Sequence, residues 1–244
     1  MILAAGKGTR MLPLTEIMPK ALLSIQGITL LEHTISYLKY YGIKDIIINV
    51  HHFADQIIEF VKKKDYFKIN IAFSEENEEL LDTGGGLYKA RWFFGNDPFI
   101  LIACDVITTL NLNNIYNYHI KYQPLVTLAV KHRPSTREFI LDSNDRIIGW
   151  VNNVTGEKIM VRPATVFDQI AFSTVHIIDP AIFDLFTETG AFSITKAYLR
   201  LAGDYKILGY RHDESHWFEC GRIDNLENLN NNYEIENIFK KFNT

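Results

Sequence analysis

The amino-terminal residues read Ile2-Leu3-Ala4-Ala5-Gly6-Lys7-Gly8-Thr9-Arg10-Met11-Leu12-Pro13-Leu14-Thr15 and, after three more residues, Pro19-Lys20. A short apolar run stops at Gly6, and two glycines with basic and hydroxyl neighbours follow. That order predicts a buried strand emptying into an anion-binding loop, because glycine lacks the Cβ that would hold a phosphate away from backbone N–H groups. Lys7, Arg10 and Lys20 bring positive charge to the same loop. A glycine-rich turn with solvated lysines satisfies so short a pattern equally well, and the residues around it have to decide.

Two phosphate-loop patterns fail. A dinucleotide fingerprint, G-x-G-x-x-G, needs a third glycine where Met11 stands, and no Gly-Lys-Ser/Thr ends this stretch. Over its whole length the stretch resembles the L-A-A-G-x-G-T-R-x-x-P-L-T-x-x-x-P-K signature of the sugar-1-phosphate nucleotidyltransferases. Gly6, Gly8, Thr9, Arg10, Pro13, Leu14, Thr15, Pro19 and Lys20 stand at that family's spacing. The pattern is similar to that of its short single-domain members, the N-acetylmuramate-1-phosphate uridylyltransferases and mannose-1-phosphate guanylyltransferases.

The resemblance implies an α/β fold, the three-layer Rossmann-like nucleotide-diphospho-sugar transferase fold, with a mixed, mainly parallel central sheet and a small antiparallel region. It implies a sugar 1-phosphate and a triphosphate (UTP, GTP or dTTP) as substrates, with Mg2+ as cofactor. In that reading Leu3, Ala4, Ala5, Gly6, Lys7, Gly8 and Thr9 contact the nucleotide, Arg10 holds its outer phosphates and Lys20 neutralises the α-phosphate. The chain is read as one domain over 1–244, with a nucleotide-binding half over 1–122, a sugar-phosphate half over 123–222 and a terminal helix over 223–244.

Composition narrows the field independently. At 244 residues with 47% apolar side chains a full core is available. A net charge of −4 leaves no basic footprint for nucleic acid. No apolar run is long enough to span a bilayer. Two cysteines, Cys104 and Cys220, argue against a disulfide scaffold and for a reducing cytoplasm. The first strand opens at Ile2, whereas related chains carry residues before it, so an upstream start is expected.

Hydrophobic periodicity predicts a helix from the Thr29/Glu32 capping box to Gly42, a strand over 45–50, a helix over 54–61 and a strand over 69–73. Such alternation implies a mainly parallel sheet, with ligands beyond the carboxyl ends of its strands. Asp82-Thr83-Gly84-Gly85-Gly86 opens the next helix; close packing of the backbone accounts for such glycines, and the resemblance implies that Gly84, Gly85 and Gly86 face the nucleotide. Strand 99–103 ends in Cys104-Asp105. A carboxylate there faces the ligand crevice or caps the next segment, and the resemblance makes Asp105 a magnesium ligand beside the nucleotide.

From 125 onward short strands with turn signals at 142–144 and 152–156 predict an antiparallel region. In the resembling family this part carries the sugar, which implicates Phe172 and Thr174, the latter where the family has glycine. Lys158 and Arg162 lie where relatives place a cation for the sugar phosphate. His216-Trp217-Phe218-Glu219-Cys220-Gly221-Arg222 resembles W-x-D-x-G-T. Glu219 replaces the second metal-binding aspartate, Trp217 and Arg222 fall at the sugar end, and Arg222 either holds Glu219 or adds a phosphate contact. Asp224 is expected to cap the terminal helix. No repeat follows residue 230, so no β-helix domain is expected. A cytidylyltransferase acting on a non-sugar phosphate such as phosphocholine, and a non-catalytic nucleotide-sugar sensor, are the alternative readings.

Overall fold

The computed structural model describes residues 1–242, in two compact units that interleave along the chain. Met1–Leu80, Ile102–Leu110 and the stretch from His216 onward make the first; Leu81–Leu101 and Asn111–Ser215 make the second.

In the first unit Ile2–Leu3 lies between Asp45–Val50 and the end of Phe99–Ala103, parallel to both, and Asn70–Glu75 runs parallel on the far side of Asp45–Val50. Ile46, Ile47, Ile48 and Val50 are all buried, as a strand covered on both faces requires. The helix Leu30–Tyr40 buries Leu31, Ile35 and Leu38 on one side. Its capping box is half formed. The Thr29 side chain accepts the Glu32 N–H at 3.1 Å, but the Glu32 carboxylate takes Lys64 at 2.7 Å instead of turning back to Thr29.

Val106–Thr108 and Trp217–Glu219 form a separate antiparallel ribbon. The terminal segment is two helices, Ile223–Asn230 and Tyr233–Phe242, where one was expected over 223–244; residues 243 and 244 lie outside the described chain. The break has a local cause: the Asn232 carboxamide accepts the Glu234 N–H at 2.8 Å and starts the second helix, while the Gln26 amide donates to the carbonyls of Leu229, Asn230 and Asn232. The residue flanking the first of these helices is Arg222; Asp224, expected there, sits inside the first turn, where its charge still suits the helix dipole.

The second unit holds the antiparallel region. Lys158–Met160, Ile147–Asn152, Arg137–Leu141, Asp168–Ile178 and Val126–Lys131 pair antiparallel in that order, and Ile207–Arg211 adds parallel to the last. The α/β class and the mixture of parallel and antiparallel pairing are as the sequence implies. Asp82–Lys89 is helical and continues as a 3-10 turn over Ala90–Phe93, and Ile194–Ala202 is an amphipathic helix ending at Gly203. Among the described residues no helix is long and apolar enough to cross a membrane.

Candidate active site

The strand Ile2–Leu3 delivers the chain to the carboxyl end of its sheet, where a buried brace fixes the exit. The Ala4 N–H donates to Asn49 Oδ1 at 2.8 Å, and Asn49 Nδ2 donates to Glu76 Oε1 at 2.7 Å. Both side chains are buried, so neither amide nor carboxylate has water as a substitute partner. Sequence reading missed this pair. Its signal was Asn49 itself, a polar residue inside the apolar run 45–50.

Past the brace, a Cβ on Gly6 would meet nothing within 4 Å, so the backbone there faces open space. Gly8 is different. It is left-handed, φ +66°, and a Cβ would sit 2.8 Å from Thr15 Cγ2 and 3.1 Å from Lys20 Cβ. The Thr15 hydroxyl and the Met11 N–H both donate to the Gly8 carbonyl, at 2.9 and 2.7 Å. The loop is thereby folded back on Lys20, which explains why Gly8, Thr15 and Lys20 belong to one motif.

Two ion pairs occupy the region the loop faces. Lys20 Nζ contacts Asp105 Oδ2, with side chains only 12% and 23% exposed, and Arg10 NH1 lies 3.1 Å from Glu219 Oε1, with side chains 57% and 35% exposed. Gly221 is the floor common to both. A Cβ there would lie 2.9 Å from Glu219 Oε1, 3.1 Å from Lys20 Nζ and 3.3 Å from Arg10 NH2. The ribbon brings the acids together: Glu219 pairs with Val106, and the Cys220 N–H donates to the Asp105 carbonyl at 2.8 Å. Asn225 Nδ2 donates to the Glu219 carbonyl at 2.9 Å and ties the strand end to the helix behind it.

Of the two roles expected for Arg222, holding Glu219 or adding a phosphate contact, the first is taken by Arg10, and Arg222 lies exposed at the start of Ile223–Asn230. Lys7 is exposed on the loop, and Trp217 is half-buried in the ribbon. Cys104 and Cys220 flank the acids as buried free thiols; burial pushes the Cys104 thiol up to about 12 and raises that of Cys220, so both are inert at neutral pH.

In the second unit the Gly84 and Gly85 N–H groups both donate to the Phe192 carbonyl, at 2.9 and 3.3 Å, and Cβ atoms there would strike Phe192 and the Gly190 carbonyl. Close packing therefore requires the bare backbone at these two positions. Phe172 packs its ring on Phe139 and His176. Thr174 sits at φ +58° in a register shift of the strand Asp168–Ile178, with its hydroxyl buried and unpartnered. Arg162 donates to the carbonyls of Ala202 and Gly203 at a helix end, and Lys158 lies 4.4 Å from the centre of the Phe167 ring, so both cations are engaged within this unit.

A family model described as nucleotidyl transferase matches residues 1–236. The chain belongs to that family. This nucleotidyl transferase is 29% identical over 236 residues to the N-acetylmuramate alpha-1-phosphate uridylyltransferase of Neisseria meningitidis serogroup B, covering 93% of this chain and 94% of the relative. It is 27% identical over 227 residues to the mannose-1-phosphate guanyltransferase of Schizosaccharomyces pombe, covering 91% of this chain and 60% of that one. Among solved structures, UDP-glucose pyrophosphorylase complexed with UDP-glucose superposes with a TM-score of 0.76 at 19% identity, covering 96% and 97% of the two chains. The inositol-1-phosphate CTP transferase from T. maritima does so at 0.74 and 14%, covering 99% and 94%. At those identities the structures share the fold.

Proposed function

We propose that the protein joins a sugar 1-phosphate to a nucleoside triphosphate, releasing pyrophosphate. The observation that supports this best is the gathering of Lys20, Arg10, Asp105 and Glu219 around Gly221, beside a loop with open backbone at Gly6. Two cations and bare N–H groups suit a polyphosphate; two acids suit its counter-cation.

Among the described residues no group of three or more His, Cys, Asp or Glu side chains is placed to hold a metal. Magnesium needs no such cage, since it keeps several waters and takes one or two carboxylates together with substrate phosphates. The donor set of Asp105 and Glu219 fits it, all hard oxygens. When bound, the ion would neutralise phosphate charge.

The chain's own groups supply alignment and charge. The N–H groups of Gly6 to Thr9 and the Arg10 guanidinium hold the outer phosphates, and Lys20 leaves Asp105 to meet the α-phosphate as negative charge grows there. The sugar phosphate oxygen then attacks phosphorus in line, and pyrophosphate departs with no enzyme nucleophile. Holding two polyanions in register is worth an effective molarity of ~10⁵ M or more. In the first unit Trp217 and Arg222, and in the second, taken by itself, Gly86, Phe172 and Thr174, are proposed as base or sugar contacts, and the two reduced thiols suit a cytoplasmic enzyme.

The test is a panel of UTP, GTP, dTTP and CTP against N-acetylmuramate, mannose and glucose 1-phosphates and phosphocholine, followed by magnesium-dependent pyrophosphate release. Release with a sugar 1-phosphate supports the proposal. Release with phosphocholine alone moves the protein to the cytidylyltransferase reading, and no release from any pair, with the protein folded, leaves the sensor reading.

A further inference from the structure

Glu219 stands where the resembling motif has aspartate, and its extra methylene carries a carboxylate oxygen to 3.1 Å from Arg10 NH1. Arg10 and Glu219 are 209 positions apart, and the side chains of Lys20, Arg10 and Glu219 converge over Gly221 because that residue has no Cβ. Asn225 holds the Glu219 backbone at 2.9 Å, so the carboxylate projects from a fixed base. The consequence is a phosphate-binding guanidinium that already has an anion on it.

We infer that Glu219 is a built-in counter-ion for Arg10, which the triphosphate must displace, and that this residue sets how weakly the enzyme binds polyphosphate lacking a metal. The inference rests on the proposed phosphate-binding role of the loop and adds to it a positioning residue that acts through Arg10. In the unliganded protein the four charges pair to neutrality, Lys20 with Asp105 and Arg10 with Glu219. A polyphosphate arriving alone takes the two cations and leaves two carboxylates facing it without partners. A polyphosphate arriving with a divalent cation exchanges partners on both sides, cations to phosphate and acids to metal. Glu219 thus penalises the metal-free ligand selectively. An exposed ion pair contributes at most about 1 kcal/mol, which bounds the effect at roughly fivefold.

Because the base is unassigned, the probe is inorganic tripolyphosphate, titrated calorimetrically into the full chain in the presence of EDTA. Glu219→Gln is expected to tighten metal-free tripolyphosphate binding by roughly two- to fivefold. A double-mutant cycle separates pairing from general electrostatics: in an Arg10→Gln background the Glu219 substitution is expected to change affinity by less than about 1.5-fold. Asp224→Asn, which removes one acid without touching Arg10, is the control for net charge and is expected to shift affinity less than Glu219→Gln. Unchanged or weaker binding by Glu219→Gln overturns the inference, as does a gain that persists undiminished without Arg10. Thermal melts confirm that each variant is folded. If wild type binds neither tripolyphosphate in EDTA nor any nucleoside triphosphate with magnesium, the proposed function fails and the inference with it; tripolyphosphate binding without the expected cycle overturns the inference alone.

Discussion

Gly8 in the first unit and Thr174 in the second adopt nearly the same left-handed backbone, φ +66° and +58°, with opposite side-chain chemistry. At Gly8 the missing Cβ leaves room for Thr15 and Lys20 to close on the turn. At Thr174 a β-branched residue is forced into a region that its side chain disfavours, and its buried hydroxyl finds no partner. The first turn is relaxed and surrounded by charge. The second stores strain, of order 1–3 kcal/mol. The contrast extends to ion pairs: in the first unit two separate pairs, Lys20 with Asp105 and Arg10 with Glu219, converge over Gly221, whereas in the second Arg211 and His132 share Asp168 and are further held by Asp145 and Asp213. On the proposed function, the first unit's pairs are the ones a ligand would open, while those of the second unit tie strand to strand or to a turn.

The sharpest way to break that contrast is to remove the charge itself. Lys20→Ala is expected to lower turnover by about 10²-fold or more while the thermal midpoint moves by only a few degrees; near-normal turnover in a pyrophosphate-release assay would remove Lys20 from the mechanism. Gly221→Ala asks the same of the floor. The three atoms nearest its new methyl are the ends of flexible side chains, so stability should hold while displaced charges reduce turnover by roughly tenfold to a hundredfold. Matched melting curves and initial rates on the same preparation check both halves of that expectation.

Acid stability probes the packing behind the first unit's sheet. His33 is 1% exposed, its Nδ1 has no partner, and its ring lies 4.8 Å from that of Phe239 in the last helix. Burial lowers its pKa to about 3. The folded state therefore prefers the neutral ring, whereas the unfolded chain takes up a proton near pH ~6.5. Stability is fully present above that value and is lost as pH falls from there toward about 3. His33→Phe should flatten that slope, read by chemical denaturation near neutral pH and near pH ~4; an unaltered slope would assign the acid sensitivity to other buried histidines such as His176.

The two turns themselves give the smaller effects, of opposite sign. Gly8→Ala is expected to destabilise by roughly 1–3 kcal/mol, from a strained φ plus the contact with Thr15. Thr174→Gly relieves strain of similar size but gives up about 0.5–1 kcal/mol to the freer unfolded chain, for a net stabilisation of about 1 kcal/mol. Melting midpoints decide between these signs, and destabilisation by Thr174→Gly would mean that the hydroxyl or methyl contributes more than the strain costs.

How much of this was legible in the sequence depends on how far each feature reaches along the chain. The parallel strands and their helices were legible because Ile46 to Ile48 and the stripe Leu31, Ile35, Leu38 carry their own periodicity. The glycine loop and Asp105 were legible because the loop motif is local and Asp105 ends an apolar strand, whereas Glu219 was picked out only by the resemblance of 216–222 to a family motif. Pairings set by side-chain reach were not. No local pattern shows that Glu219 would choose Arg10 over Arg222, that Glu32 would take Lys64, or that Asn49 would brace Ala4 through Glu76. The division of the terminal helix was within reach, since Asn232 two residues before Glu234 is a capping signal that the run of asparagines obscured.

The central claim is that Lys20, Arg10, Asp105 and Glu219 serve one triphosphate and its metal. A crystal structure of the protein with magnesium and a nucleoside triphosphate tests it most directly. The account predicts phosphates along the Gly6 to Thr9 backbone, with Lys20 turned from Asp105 to phosphate and Glu219 released from Arg10. A triphosphate bound elsewhere, with both ion pairs intact around Gly221, would contradict it.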